Sequence, residues 1–146
     1  MKISTKGRYA LRLMTDLANS GQEGYVSLKD VAVRQNISQK YLEQIAGSLA
    51  KAGLLQSGRG AQGGYRLAKA PADYTVGEIL RLTEGNLAPV ACLDGPENRC
   101  ERCGECSTLD FWSGLYATVN AYIDRYTLAD LAAERRHSAD GSPPKG

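Results

Sequence analysis

The sequence predicts a mainly α-helical protein that carries one small β-hairpin and places a long helix near its end. Three observations lead there. Four Ser/Thr-x-x-Asp/Glu segments mark helix starts at Ser27, Thr75, Ser107 and Thr127; in each, a hydroxyl can take an orphan backbone N–H while the acid suits the helix dipole. Apolar residues recur at gaps of three and four along the first, third and penultimate helical segments. Residues 54–67 break that period around a glycine-rich turn, Gly58-Arg59-Gly60-Ala61-Gln62-Gly63, which signals a hairpin.

Taken in order, the first helix runs from about Thr5 to Asn19 with Ala10, Leu13, Met14, Leu17 and Ala18 on one stripe and Gly21 as its stop. A short second helix follows Ser27 and holds Val31 and Ala32. Ser38 caps a third helix that ends at Gly53, with Leu42, Ile45, Ala46 and Leu49 inward and Lys40, Glu43, Gln44 and Lys51 outward. Strands at 54–57 and 64–67 flank the glycine turn, and Pro71 closes the hairpin. A fourth helix covers Val76 to Thr83; a loop with Pro89, Gly95, Pro96 and Gly104 spans 86–106; helices then cover about Thr108–Tyr126 and Leu128–Arg135.

With 42% hydrophobic and 23% charged residues over 146 positions, the composition is that of a soluble globular chain and excludes wholesale disorder. No stretch approaches the ~20 apolar residues of a membrane span, and Met1-Lys2-Ile3-Ser4 lacks the apolar run of a signal peptide. A cytoplasmic protein with no membrane partner is expected. The net charge of +2 conceals an asymmetry: residues 1–86 hold 12 Lys/Arg against 7 Asp/Glu, and residues 87–146 hold 6 against 9. Nucleic acid would favour the basic front half.

Three helices followed by a hairpin is the order of a winged helix-turn-helix. The N-terminal turns of the third helix would enter the major groove of double-stranded DNA. There Gln44 suits adenine and Glu43 suits the cytosine amino group, while Ser38, Lys40 and Tyr41 suit phosphates. Arg59, on a backbone thinned by glycines, suits a narrow and electronegative minor groove. Two solvated polar residues and an ordinary long turn would be the plainer account of each feature alone; helix order, charge and wing together point to DNA.

Leu109, Trp112, Tyr116, Val119, Ile123 and Tyr126 recur at alternating gaps of three and four along the penultimate helix. That is a heptad seam. It predicts a dimer interface between two copies, or else a helix covering its own domain. Pairing is favoured because two half-sites give tighter reading than one.

Several segments together resemble the IscR/NsrR/CymR family of bacterial winged-helix regulators: Met1-Lys2-Ile3-Ser4-Thr5-Lys6-Gly7-Arg8-Tyr9-Ala10, Ile37-Ser38-Gln39-Lys40-Tyr41-Leu42-Glu43-Gln44-Ile45, Arg59-Gly60-Ala61-Gln62-Gly63-Gly64-Tyr65-Arg66-Leu67 and Thr75-Val76-Gly77-Glu78-Ile79-Leu80. The resemblance spans about residues 1–134. It implies a homodimer on a partly palindromic operator, with Glu43 reading a base and Arg59 in the minor groove. In many members it also implies an iron–sulfur or redox signal.

All four cysteines fall within fifteen residues, as Cys92-x7-Cys100-x2-Cys103-x2-Cys106. In a reducing compartment such a cluster binds metal or senses redox state more often than it forms disulfides. By the resemblance, Cys92, Cys100 and Cys106 match three cluster ligands. The family's fourth ligand is a histidine at the position of Leu109 or an aspartate at that of Arg8, so Cys103 is the extra candidate. Read without the resemblance, Cys100, Cys103 and Cys106 have the spacing of three ligands to one cubane, with Cys92 at the fourth corner. The tight triad favours a 4Fe-4S over a 2Fe-2S cluster; zinc is the alternative.

The expected organisation is therefore a DNA-binding domain at 1–86, a cysteine-rich sensing loop at 87–106, a dimerisation helix and short terminal helix at 107–135, and a disordered tail at 136–146. The leading expectation is a dimeric repressor or activator, not an enzyme, whose operator affinity follows cluster or redox state. One alternative keeps DNA binding and gives the signal to a protein effector, with zinc-bound or structural cysteines. Another is a small electron carrier, against which stands the lack of a second cluster motif.

Overall fold

The computed structural model describes residues 1–20 and 23–138. Helix α1 (Thr5–Asn19) starts at Ser4, whose hydroxyl oxygen accepts from the Gly7 N–H at 3.2 Å. Its apolar stripe is buried as expected at Ala10, Leu13, Met14 and Leu17; Gly21, its expected stop, lies outside the described residues. Helix α2 (Leu28–Gln35) ends at Asn36, whose φ of 53° makes it the one non-glycine left-handed residue among those described. Asn tolerates that conformation at little cost, and it sets the turn into α3 (Gln39–Lys51).

Helix α3 ends in a Schellman motif. Gly53, at φ 84°, donates to the Ala50 carbonyl at 3.0 Å, and Leu54 donates to the Leu49 carbonyl at 2.9 Å. Leu54 is thereby spent on the helix end, and β1 (Leu55–Gly58) begins one residue later than its period suggested. It pairs antiparallel with β2 (Gly64–Leu67), Leu55 opposite Leu67 and Gly58 opposite Gly64. Pro71 does not merely close the hairpin; it opens a 3-10 turn, Pro71–Asp73.

Helix α4 (Val76–Glu84) carries the expected cap, Thr75 Oγ1 accepting from the Glu78 N–H at 3.0 Å. Helix α5 (Leu109–Arg125) does not use the box read at Ser107. Thr108 is its N-cap and makes no side-chain cap, because its hydroxyl is engaged by Cys106 Sγ at 3.4 Å. Helix α6 (Leu128–Ser138) closes a full reciprocal box: the Thr127 N–H donates to Asp130 Oδ2 at 2.8 Å, and the Asp130 N–H donates to Thr127 Oγ1 at 3.1 Å. It runs three residues past the expected end at 135, so the expected tail is helical through Ser138; residues 139–146 lie outside the described residues.

One core joins α1, α2, α3 and the hairpin base to Tyr74, Ile79 and Leu128. Tyr74 is fully buried, and its hydroxyl is satisfied on both sides: it donates to the Leu54 carbonyl at 2.6 Å and accepts from the Ala68 and Lys69 N–H groups. A second, smaller core holds Val76, Leu80 and Leu87, covered by Ile3, Leu11, Tyr116, Ile123 and Tyr126. The backbone of Val76 and Tyr126 and of Leu128 and Tyr74 is hydrogen-bonded at 2.9 and 3.0 Å, which ties the chain just past α5 to the segment that opens α4.

Candidate DNA-binding surface and cysteine loop

An ionic network pins α1 to α2, the helix that leads into α3. Asp16 is 3% exposed. Arg34 binds it from α2 through Nη2 at 2.7 Å and Nε at 3.2 Å, and Gln35 Nε2 donates to it at 2.8 Å. Arg12 in turn hydrogen-bonds Gln35 through both the side chain and the backbone carbonyl. A buried carboxylate needs such a full set of donors. Sequence reading missed this network: its members sit up to 23 residues apart, and the one local clue was an aspartate on the apolar face of α1.

On α3, Lys40, Glu43 and Gln44 are exposed on the face opposite Leu42, Ile45 and Leu49. The Ser38 hydroxyl oxygen accepts from the Tyr41 N–H at 3.1 Å, so it caps the helix and keeps only its own proton to offer a phosphate. Tyr41 is half-buried; its ring meets that of Tyr9 edge-on at 5.7 Å between centroids. Glu43 accepts from Gln39 Nε2, one turn earlier, at 3.4 Å. Arg59 is exposed at the hairpin tip, in a turn where Gly60 has φ 94° and the Gly63 N–H donates to the Gly60 carbonyl at 3.0 Å.

The cysteine loop links α4 to α5 with little regular structure beyond the 3-10 turn Ala91–Leu93. Cys92 and Cys103 are half-buried, Cys100 and Cys106 are exposed, and none is in a disulfide. Cys92 and Cys100 share a cleft of about 640 Å³ with Asp94, Glu97 and Arg99. The donor set has the right chemistry for a soft metal or cluster, since thiolates are the preferred ligands of both. The arrangement does not form a cage: among the described residues, no three Cys, His, Asp or Glu side chains converge as metal ligands. The Thr108 hydroxyl beside Cys106 Sγ, with backbone N–H groups of Thr108 and Leu109, holds that thiol below its ordinary value.

The heptad seam divides. Tyr116, Ile123 and Tyr126 turn inward onto Val76, Leu80 and Leu87 of their own chain, because α4 lies along the C-terminal half of α5. Leu109, Trp112 and Val119 stay half-exposed outside both cores. No residue of α5 is fully buried, and Phe111 and Tyr122 are 65% and 54% exposed. Arg81 of α4 fixes the two helices together, through Asp124 at 2.7 and 2.8 Å and Asn120 at 3.0 Å. Among the described residues, no helix is long and apolar enough to cross a membrane.

The family model for Rrf2, described as an iron-dependent transcriptional regulator, matches residues 3–134. The chain is 42% identical over 133 residues to the HTH-type transcriptional regulator CymR of Bacillus subtilis, covering 91% of each chain. It is 38% identical over 134 residues to the HTH-type transcriptional regulator IscR of Aliivibrio salmonicida, covering 92% of this chain and 79% of that one. In structure it is similar to CymR, the global cysteine regulator of B. subtilis, with a TM-score of 0.76 at 40% identity, over 92% of this chain and 98% of the other. It is similar also to IscR of T. potens, with a TM-score of 0.73 at 38% identity, over 100% and 94%. With that match over nearly its whole length, on three helices and a wing, the chain belongs to the Rrf2 family of transcriptional regulators.

Proposed function

We propose that this regulator binds a partly palindromic operator as a homodimer, reading bases with Glu43 and Gln44 and entering the minor groove with Arg59. The observation that carries this reading is an exposed polar face on α3 together with an exposed arginine on a glycine turn. Glu43 accepts from a cytosine amino group and Gln44 pairs with adenine, while Lys40 and the hydroxyl protons of Ser38 and Tyr41 hold phosphates. Selecting duplexes from a randomised pool with the wild-type chain, then titrating the winner by fluorescence anisotropy, tests it. A selected duplex with two related half-sites, bound ~10³-fold or more above random DNA, supports the reading; equal affinity for both overturns it.

The second copy covers the outward stripe of α5, Phe111, Leu115, Val119 and Tyr122, which recur at gaps of four, four and three and lie outside the core that faces α4. This narrows the seam read from sequence: Val119 stays in it, Leu109 and Trp112 lie at its margins, and Tyr116, Ile123 and Tyr126 serve the protomer's own core.

The loop senses. Cys92, Cys100, Cys103 and Cys106 are the residues that would hold an iron–sulfur cluster, whose bound form would supply a charged, redox-active centre. Gathering four dispersed thiols would order a loop anchored to α4 on one side and α5 on the other, and Arg81–Asp124 joins those helices. The likeness to IscR favours this. The likeness to CymR and the dispersed thiols favour a second reading, in which the cysteines answer a redox signal or a protein effector with no cluster, or hold zinc. Anaerobic reconstitution with iron and sulfide counts separates them.

A further inference from the structure

Tyr25 stands outside the hairpin, one residue before Val26. Val26 pairs with Tyr65 as a short third rung: its N–H donates to the Tyr65 carbonyl at 2.8 Å, and the Tyr65 N–H returns to the Val26 carbonyl at 2.9 Å. The strand register sets Gln56 opposite Arg66 and Gly58 opposite Gly64, and alternation puts all four on one face of the hairpin. Tyr25 lies against that face. A methyl built on Gly58 would sit 2.6 Å from Cδ2 of its ring, so glycine is what admits the ring. The Arg66 guanidinium lies over the same ring, 4.6 Å from its centroid, while Arg66 Nε donates to Gln56 Oε1 at 2.9 Å.

Gly58 immediately precedes Arg59. The turn beyond is rich in glycine, and glycine loses more conformational freedom on ordering than any other residue. An arginine carried on such a turn loses that freedom when it enters a groove, which weakens binding unless the turn is aimed beforehand.

We propose that Tyr25 is a positioning residue for DNA recognition: seated on Gly58 and held by Arg66, its ring fixes the angle at which the wing delivers Arg59 to the groove. This rests on the reading of Arg59 as the groove-inserted arginine. Tyr25 acts through Arg59, and its loss therefore has no consequence once Arg59 is gone.

The test is a double-mutant cycle on the full chain, titrated against the duplex selected by the wild type, with thermal midpoints recorded for each variant. Arg59→Ala and Tyr25→Ala are each expected to weaken binding roughly tenfold. Tyr25→Phe, which keeps the ring, is expected to bind within about twofold of wild type. Tyr25→Ala in the Arg59→Ala background is expected to add less than about twofold. Gly58→Ala displaces the ring from the other side and is expected to follow the same pattern, which keeps the test alive if Tyr25→Ala does not fold. If Arg59→Ala weakens binding while Tyr25→Ala and Gly58→Ala do not, or if their losses multiply with that of Arg59→Ala, the positioning role is wrong and the wing reading stands. If Arg59→Ala itself binds normally, both fall.

Discussion

Arg81 grips Asp124 with both terminal nitrogens, Nη1 at 2.8 Å and Nη2 at 2.7 Å, and Gly77 one turn earlier leaves the room for it. A Cβ at Gly77 would collide with the Asp124 carboxylate and stand 2.8 Å from Arg81 Nη1. In an exposed helix, Gly→Ala stabilises by about 1 kcal/mol. Here the sign is expected to invert: Gly77→Ala should lower the urea midpoint, because the fork between α4 and α5 must open. A midpoint that rises would show that the fork contributes nothing to holding α5.

The same pair predicts a pH dependence. Hydrogen bonds from Arg81 hold the Asp124 carboxyl below its ordinary value. A depressed folded-state value stabilises above the ordinary carboxylate range and is lost as pH falls through the folded value. Both side chains are more than a third exposed, so after screening by water the pair is worth at most about 1 kcal/mol. In urea unfolding, the gap between wild type and Asp124→Asn should be full at pH 7 and shrink as pH falls below the ordinary carboxylate range. A gap that does not shrink as pH falls would assign the effect to shape and not to charge.

Two neighbouring residues on α5 should fail differently. Ile123 faces Val76 and Leu80, whereas Tyr122 is 54% exposed on the outward stripe. Ile123→Asp should destabilise the protomer by about 2 kcal/mol or more, and Tyr122→Asp should leave a folded monomer. Light scattering with circular dichroism distinguishes the two. A Tyr122→Asp variant that remains dimeric would move the interface elsewhere.

On the cluster reading proposed above, Cys103 completes a ligand set with Cys92, Cys100 and Cys106. A cluster resists loss only with its full ligand set, and its thiolates must give up protons to bind. Cys103→Ser should therefore lose iron as fully as Cys92→Ser, Cys100→Ser or Cys106→Ser after anaerobic reconstitution. The winged half should stay folded in all four, since Leu13, Leu17, Leu42, Ile45 and Leu49 pack outside the loop. Full iron retention in Cys103→Ser alone would mean that three cysteines suffice; zinc without iron in the wild type would end the cluster reading.

What was legible in the sequence was local. Thr75, Thr127 and Ser38 cap the helices they appeared to cap, and the glycine turn after Gly58 marked the hairpin. The Ser107 box failed because Thr108 turned its hydroxyl to a cysteine two residues back, a competition that a capping pattern does not register. Partners distant in sequence were not legible: Asp16 with Arg34, Arg81 with Asp124, Tyr25 with Arg66. Nor does a period of three and four say what an apolar stripe packs against. On α5 that stripe is shared, one side against α4 and the other outward, and only the packing of Tyr116 and Ile123 divides it.

In the proposed complex, α3 reads bases while the wing supplies a groove-inserted charge. Glu43→Ala and Arg59→Ala, titrated against the selected duplex and every single-base-pair variant of it at two salt concentrations, test it most directly. Glu43→Ala should lose about 1–3 kcal/mol of discrimination at one base pair per half-site and little elsewhere. Arg59→Ala should weaken all variants together and flatten the salt dependence. Wild-type affinity and discrimination in both would contradict it.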